Sequence, residues 1–250
     1  MTQEIIDKIN CPHQVFKKGN TVKEVNAAYR EALQRGKKEG FVPVLVVSDE
    51  TLADWLGILD DEEAYSKEEV LKQTKRAAKE ILDERFLEYT EDYVDDTKDD
   101  VQTNEGDWLL SELMGDFVVE ETLNELSSFM EYDGSGIMET ILFEIPVQNP
   151  WEVIAWVPMG GWNECPETAE MMEVCKYWYE KYGAIPAVIS HDTLEFVVEK
   201  PIADKEQAWE LAKEQYAFCP DRVDQGTANC TIGELAGCLN QSEVWYFWWD

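Results

Sequence analysis

One cysteine occupies a sequence position that could make its thiol reactive. In "NECPET", Cys165 precedes Pro166, and proline favours the first turn of a helix, so we predict Cys165 to be the N-cap of the following helix. A helix N-terminus lowers the pKa of a thiol, and His191 and Asp192 could complete a Cys-His-Asp arrangement for nucleophilic catalysis. Several glutamates, Glu164 among them, crowd the same helix end and would raise the thiol pKa again. The balance favours a protein that is not an enzyme, and we predict no catalytic residue.

Metal and phosphate sites are disfavoured as well. Zinc binds cysteine and histidine, but Cys165, His191 and Cys219 include no closely spaced pair to anchor a metal. The glycines of "MGGWNECP" lead into a helix as phosphate-binding loops do, yet acids surround the turn and no lysine follows it. We therefore predict neither a metal site nor a cofactor.

The charge of the chain points to the kind of partner. The 250 residues include 53 Asp and Glu against 21 Lys and Arg, a formal net charge of −32. Hydrophobic residues make up 44% of the chain, enough to build a packed core, so the charge must lie on the surface. An acidic surface repels phosphates. We therefore expect no nucleic acid and no membrane as partner, and we expect a basic protein.

The chain has the features of a cytoplasmic protein. The opening "MTQEIIDKIN" is charged, unlike a signal peptide, and no apolar run approaches the roughly 18 residues of a membrane span. The six cysteines include no CxxC pair, which is typical of reduced thiols. We expect a cytoplasmic location, and the oligomeric state stays open.

Charge is unevenly distributed along the chain. No lysine or arginine occurs from residue 99 to residue 175, although acids recur throughout that stretch. One interpretation is a solvated acidic face that keeps the protein soluble. The other is a docking surface for a cationic protein.

Elements that could position these residues are predicted in two regions. In residues 1–136, "TVKEVNAAYREALQRGKKE" and "ETLADWL" predict helices, and "FVPVLVVS" predicts a buried strand between them. Ser66 and Glu69 form a capping box for one long helix, "KEEVLKQTKRAAKEILDERFLEY". An acidic linker is expected near residues 90–107, followed by helical pieces at "WLLSELM" and "VEETLNELSSFM".

The second region, residues 137–250, predicts an α/β domain. Its elements follow the order β-α-β-β-α-β with additions, and two strands, "ILFEIP" and "WEVIAWVP", are predicted before the first helix. The final "SEVWYFWWD" predicts a central strand, because aromatic residues point to both of its faces. The predicted class is α+β, with a mixed or antiparallel sheet covered by helices and preceded by a mainly helical region with one αβ unit.

Two segments of the chain resemble each other. "GFVPVLVVSDETL" and "GAIPAVISHDTL" each follow an amphipathic helix and align when one residue is gapped. An internal duplication would explain the similarity. Alternatively, any helix that ends at glycine before a buried strand gives this pattern.

Several unusual blocks occur together in the second region: "GGWNECP", "DTLEF", "EQYAFCPD", "DQG" and "VWYFWWD". In this order they resemble a bacterial family of unknown function, domain of unknown function 4253, over roughly residues 141–250. The resemblance carries no assigned catalytic residue, but it draws attention to residues that flank predicted helix ends. The candidate binding residues are Trp162, Asn163, Glu164, Cys165, Asp192, Cys219, Asp221 and Gln225.

Three hypotheses about function follow. The leading one is an acidic interaction protein that binds and neutralises a basic protein, as immunity proteins do with toxins. The alternative is an enzyme or small-ligand-binding domain with its pocket near Trp162, Cys165 and Cys219. The third is a DNA mimic, which would compete with duplex DNA for its partner.

Overall fold

One mixed sheet organises the chain. The computed structural model describes residues 1–61, 63–72, 76–101, 106–119 and 122–250. Its strands are β1 (His13–Phe16), β2 (Val42–Val47), β3 (Thr140–Ile145), β4 (Ala184–Ile189), β5 (Thr193–Val198) and β6 (Val244–Trp248). They lie in the order β1-β3-β2-β4-β5-β6; the pair β2 and β4 is parallel, and the other pairs are antiparallel.

Helices cover the sheet. The α-helices are α1 (Thr2–Ile9), α2 (Val22–Glu39), α3 (Glu50–Trp55), α4 (Lys67–Lys72), α5 (Ala78–Val101), α6 (Gly106–Met114), α7 (Thr168–Tyr182), α8 (Lys205–Phe218), α9 (Asp221–Asp224) and α10 (Ile232–Leu239). Two 3₁₀ segments lie at Leu56–Asp60 and Pro150–Ala155. In the part of the chain that the structure describes, no helix is long and apolar enough to cross a membrane.

The two faces of the sheet are covered unequally. A thick layer, formed by α1 and α3 to α10, packs over the larger hydrophobic core. A thin layer, formed by α2 and residues 122–138, covers the smaller core on the other face. Both β2 and β4 are fully buried, as central strands must be.

Local sequence signals account for the elements that border these two strands. The Thr21 hydroxyl accepts a hydrogen bond from the Glu24 main-chain N–H, and the Glu24 carboxylate accepts one from Thr21, which closes a capping box at the start of α2. Gly40 ends α2 and Gly183 ends α7, both in the left-handed conformation that glycine adopts without strain. Each strand then begins immediately.

The predicted α+β class is confirmed, and so is the β-α-β-β-α-β order of the second region. The sheet is mixed, and it is shared by both predicted regions, because β2 lies between β3 and β4. The two similar segments adopt the same helix-glycine-strand structure, and their strands are parallel neighbours. Their origin by duplication stays a prediction.

Two predicted elements are wrong. The segment "WEVIAWVP" forms a 3₁₀ turn instead of a strand, because Asn149 and Glu152 make a capping box around Pro150. Residues 122–130 of "VEETLNELSSFM" are not helical; the Asn26 amide bonds both the main-chain N–H and the carbonyl of Leu126 and holds them against α2. Residues 120 and 121 of that segment lie outside the described part.

The acidic linker and the final strand also need correction. The predicted long helix is divided into α4 and α5, and α5 continues through residue 101, so residues 90–101 are helical. Residues 102–105 lie outside the described part. Strand β6 is an edge strand, because β5 is its one pairing partner among the described residues. Its aromatic residues are buried by the thick layer on one face and half-buried on the other.

Candidate functional site

The carboxyl ends of β2 and β4 meet at one edge of the sheet, where parallel sheets commonly bind ligands. Asp49 follows β2, and His191 and Asp192 follow β4. His191 Nδ1 lies 3.2 Å from Asp49 Oδ1, and His191 Nε2 lies 3.5 Å from Asp192 Oδ2. The two similar segments therefore bring an imidazole between two carboxylates.

Helix α3 connects this edge to an aromatic pair. Asp49 caps the helix by accepting the Leu52 N–H at 2.7 Å, and Trp55 is its last residue. The Trp55 ring meets His191 edge-on, with centroids 6.1 Å apart, and its centroid lies 5.8 Å from that of Trp162 at an angle of 48°. The two tryptophans thus form a wedge instead of a closed stack.

This wedge is part of an open depression that we call the aromatic cleft, with Trp55, Tyr65, Gly160, Gly161, Trp162 and Glu167 among its lining residues. Its volume of about 610 Å³ lies within the range of ligand pockets. The Tyr65 hydroxyl donates to the Ala155 carbonyl at 3.0 Å, which fixes that ring in the wall.

Two glycines allow the wall of the cleft to pack against the start of α7. Gly160 and Gly161 both have positive φ, at 92° and 79°. A Cβ atom at Gly160 would overlap the Pro166 carbonyl oxygen, and one at Gly161 would lie 3.0 Å from Glu167 Oε2. The glycines therefore bring the Glu167 carboxylate directly against the main chain of the cleft wall.

The polar groups of the cleft are few. Glu167 is the only charged residue among the described lining residues, and its side chain is exposed. Within the described part of the chain, Trp162 Nε1 is buried and has no hydrogen-bond acceptor. A buried N–H without an acceptor costs stability.

Five of the predicted binding residues lie around the end of β6. The Asn163 amide donates to the main-chain oxygen of Asp250 at 2.6 Å, and Asp221 Oδ2 accepts the Asp250 N–H at 3.1 Å. Gln225 lies beside them; its amide donates to Asp221 at 2.8 Å. Asp192 accepts the indole N–H of Trp248 at 3.0 Å, and the Cys219 thiol donates to the Trp248 carbonyl at 3.0 Å. Their contacts within the chain fix the last residues of β6.

The remaining predicted residues are Trp162, Glu164 and Cys165, and for Cys165 the N-cap prediction is wrong. Helix α7 begins at Thr168, and Glu167 is its N-cap, because residues 162–165 form a separate tight turn. Cys165 is buried, and burial raises the pKa of its thiol. Glu164 is exposed, and its main-chain carbonyl accepts a hydrogen bond from the Arg85 guanidinium at 3.1 Å.

The structure disfavours thiol chemistry at this site. Burial raises the pKa of Cys219 to about 12, so both Cys165 and Cys219 are protonated at neutral pH. No hydrogen bond joins Cys165 to His191 among the bonds of the described residues. The same part of the chain contains no group of three or more His, Cys, Asp or Glu residues that could hold a metal ion.

Sequence reasoning missed most of the cleft, since Trp162 is its one lining residue among the predicted binding residues. Trp55 and Tyr65 stand in no recognisable motif, and Glu167 counted only as one of the acids near Cys165. The similarity of "VVSDETL" and "VISHDTL" was the available signal, since it places Asp49 and His191 after two buried strands. Only the parallel pairing of those strands brings the two segments together.

Residues 141–250 match the family model for a domain of unknown function, DUF4253. The matched segment contains β3 to β6 and the cleft residues Gly160, Gly161, Trp162 and Glu167. Trp55 and Tyr65 precede it. The cleft is therefore built jointly by the DUF4253 segment and the preceding part of the chain. No curated protein and no solved structure matches the chain.

Proposed function

We propose that this protein is a non-enzymatic interaction protein that binds a basic protein and neutralises it, in the manner of immunity proteins. One observation carries the proposal: a chain with a net charge of −32 has an open aromatic cleft whose charged lining residue, in the described part, is a glutamate. Opposite charge speeds association and selects partners, and aromatic side chains supply contact area.

Few basic residues of the chain are left to balance its surplus of negative charge. Many of them already pair with the chain's own acids, as Lys37 does with Glu199 at 2.6 Å and Arg35 with Glu144. The remaining carboxylates on the surface have too few cations to balance them, because acids outnumber bases by 53 to 21. A basic partner would lower this repulsion on binding.

The lysine- and arginine-free stretch does not form a single docking face. Its Glu125 is exposed in the thin layer, whereas its Glu170 lies 3.5 Å from Arg85 in the thick layer. The described acids of this stretch are therefore distributed over both faces of the sheet. In this proposal the whole acidic surface attracts basic proteins, and contacts in the cleft select the specific partner.

A small-ligand pocket is the second candidate, because a cleft of about 610 Å³ is large enough for a small molecule. The version with a reactive Cys165 is weakened by the raised pKa of that thiol. The net charge of −32 favours a protein partner over a small molecule, since a pocket for a neutral ligand would not need such a charge.

Capture of the partner at two salt concentrations tests the proposal. The protein is immobilised, exposed to lysate of the source cell at about 50 mM and about 500 mM NaCl, and the retained proteins are identified by mass spectrometry. We expect one stoichiometric basic protein, released by salt. The partner is then purified, and its affinity should fall about tenfold or more over this range.

Two controls decide between the hypotheses. Unrelated basic proteins of similar charge should bind weakly; equal and salt-independent affinity for all of them would refute the proposal. Duplex DNA should not displace the partner, whereas a DNA mimic would be displaced. Retention of nothing at either salt concentration would favour the small-ligand alternative.

A further inference from the structure

We propose that the aromatic cleft binds an arginine side chain of the basic partner, with the guanidinium against the accessible surfaces of Trp55 and Trp162 and against the carboxylate of Glu167. This inference rests on the proposed function and names the contact by which the partner is selected. Three features of the described residues carry it: the rings, the carboxylate and the absence of a cation from the chain itself.

The rings of the cleft are suited to a flat cation. The face of an indole is electron-rich, and cations within about 6 Å of a ring centroid are attracted to it. The centroids of Trp55 and Trp162 are 5.8 Å apart and the planes are inclined by 48°, so the two rings are not stacked on each other, and both line the cleft. Both rings are only partly buried.

The chain places its own cations over rings elsewhere but not here. Arg35 lies 5.0 Å from the Phe41 centroid, Lys67 lies 5.3 Å from that of Trp156, and Lys205 lies 4.6 Å from that of Phe117. Over the described residues, neither a lysine nor an arginine lies over Trp55 or Trp162. The rings of the cleft are therefore accessible to a cation from another molecule.

The carboxylate of Glu167 completes the site. It is exposed, makes no ion pair within the described part of the chain and does not cap α7 with its side chain. Close packing against Gly161 holds it at the wall of the cleft. Arginine matches this combination better than lysine, because its planar fork both stacks on aromatic rings and pairs with a carboxylate through two parallel hydrogen bonds.

Binding of a small arginine analogue tests the cleft without the partner. The whole protein is labelled with ¹⁵N, and the indole N–H signals are followed during titration with Nα-acetyl-L-arginine amide. Trp55→Phe and Trp162→Phe assign the two signals of the cleft. We expect saturable shifts of both signals, and about tenfold weaker binding of the neutral isostere Nα-acetyl-L-citrulline amide.

Matched variants locate the charge. Glu167→Gln keeps the shape of the side chain and should weaken binding of the arginine analogue about tenfold. Glu50→Gln removes another exposed carboxylate, on α3, which does not line the cleft, and should change affinity less than twofold. Thermal unfolding of each variant checks that the fold is retained.

Three results would overturn the inference: equal affinity for the citrulline analogue, equal losses from both glutamate variants, or no shift of the Trp55 and Trp162 signals at any concentration. Tighter binding of Nα-acetyl-L-lysine amide would overturn the assignment to arginine.

The purified partner separates failure of this inference from failure of the proposed function. Salt-dependent binding of the partner that survives both Glu167→Gln and Trp162→Phe would uphold the function and refute the role of the cleft. Binding of the arginine analogue by a protein that captures no basic partner would refute the function and leave the cleft as a site for a cation.

Discussion

Two aromatic regions of this molecule differ in what surrounds them. A closed cluster, formed by Trp178, Phe196, Phe218, Trp245, Phe247 and Trp249, is almost fully buried inside the thick layer. Its rings pack on one another, and the centroid of Trp178 lies 5.0 Å from that of Phe218 and 5.5 Å from that of Phe247. The aromatic cleft also contains tryptophans, but it lies on an open surface.

The polar atoms of the tryptophans sharpen the comparison. In the closed cluster, Trp178 Nε1 donates to the buried carboxylate of Glu214 at 3.1 Å. In the cleft, Trp162 Nε1 has no acceptor within the described residues. Trp249 in the closed cluster also lacks one, so an unpaired indole does not by itself indicate a site. Exposure at an open surface distinguishes aromatic rings that can bind another molecule from rings that only stabilise the fold.

The largest expected effect lies in the closed cluster. Trp178→Ala should lower the free energy of unfolding by about 3–5 kcal/mol, because it removes a fully buried ring and leaves a cavity. Chemical denaturation measures this loss. Trp108→Ala is the control, since that side chain is 44% exposed, and it should change stability by about 0.5 kcal/mol or less. Similar losses in both variants would contradict the comparison.

Buried and exposed carboxylates should differ in the same way. Burial raises the pKa of Glu195 to about 7 from 4.5, although the main-chain N–H groups of Ser127 and Ser128 donate to it and oppose the shift. The folded state therefore holds the Glu195 proton more tightly than the unfolded state does. The free energy of unfolding should fall as the pH rises from about 4.5 to about 7, by up to about 3 kcal/mol. Burial of Asp224, whose pKa is raised to about 6, acts in the same direction.

Denaturation between pH 4 and pH 8 tests this expectation. Glu195→Gln should flatten the pH dependence, because it removes the titrating group. Trp108→Ala should leave the dependence unchanged, since it removes no ionisable group. An unchanged slope in Glu195→Gln would show that other groups determine the pH dependence.

Substitution in the cleft should affect stability less. Trp162→Leu should lower the free energy of unfolding by about 1 kcal/mol, because the ring is only partly buried and leucine retains some of its packing. Its affinity for the basic partner should fall about tenfold or more. A loss of stability as large as that of Trp178→Ala would place Trp162 in the core and remove it from the binding surface.

The smallest effect is expected at Asn163. This residue adopts positive φ, at 44°, and its amide donates to Asp250 at 2.6 Å. Asn163→Gly keeps the backbone conformation and loses only the hydrogen bond, so stability should fall by about 0.5–1 kcal/mol. A loss above about 2 kcal/mol would give this residue a structural role beyond one exposed bond.

Local signals allowed much of the fold to be predicted. The capping box at Thr21, the glycine ends at Gly40 and Gly183, and the β-branched runs after them act over a few residues, so they are readable in sequence. The 3₁₀ turn after Asn149 has a readable signal too, but its apolar run was interpreted as a strand. Residues 122–130 lack such a signal, because distant side chains hold them: Asn26 binds Leu126, and Glu195 binds Ser127.

The amino-acid sequence alone was enough to predict the acidic character, the α+β class, the succession of most elements and the resemblance of residues 141–250 to DUF4253. It did not predict which aromatic residues form a closed core and which line a cleft, because that depends on the packing of distant segments. Trp55 and Trp162 are far apart in the chain and meet because α3 follows β2 while the loop before α7 folds back on its glycines. Amino-acid composition does not predict this contact, because the role of a side chain depends on the segments that pack around it.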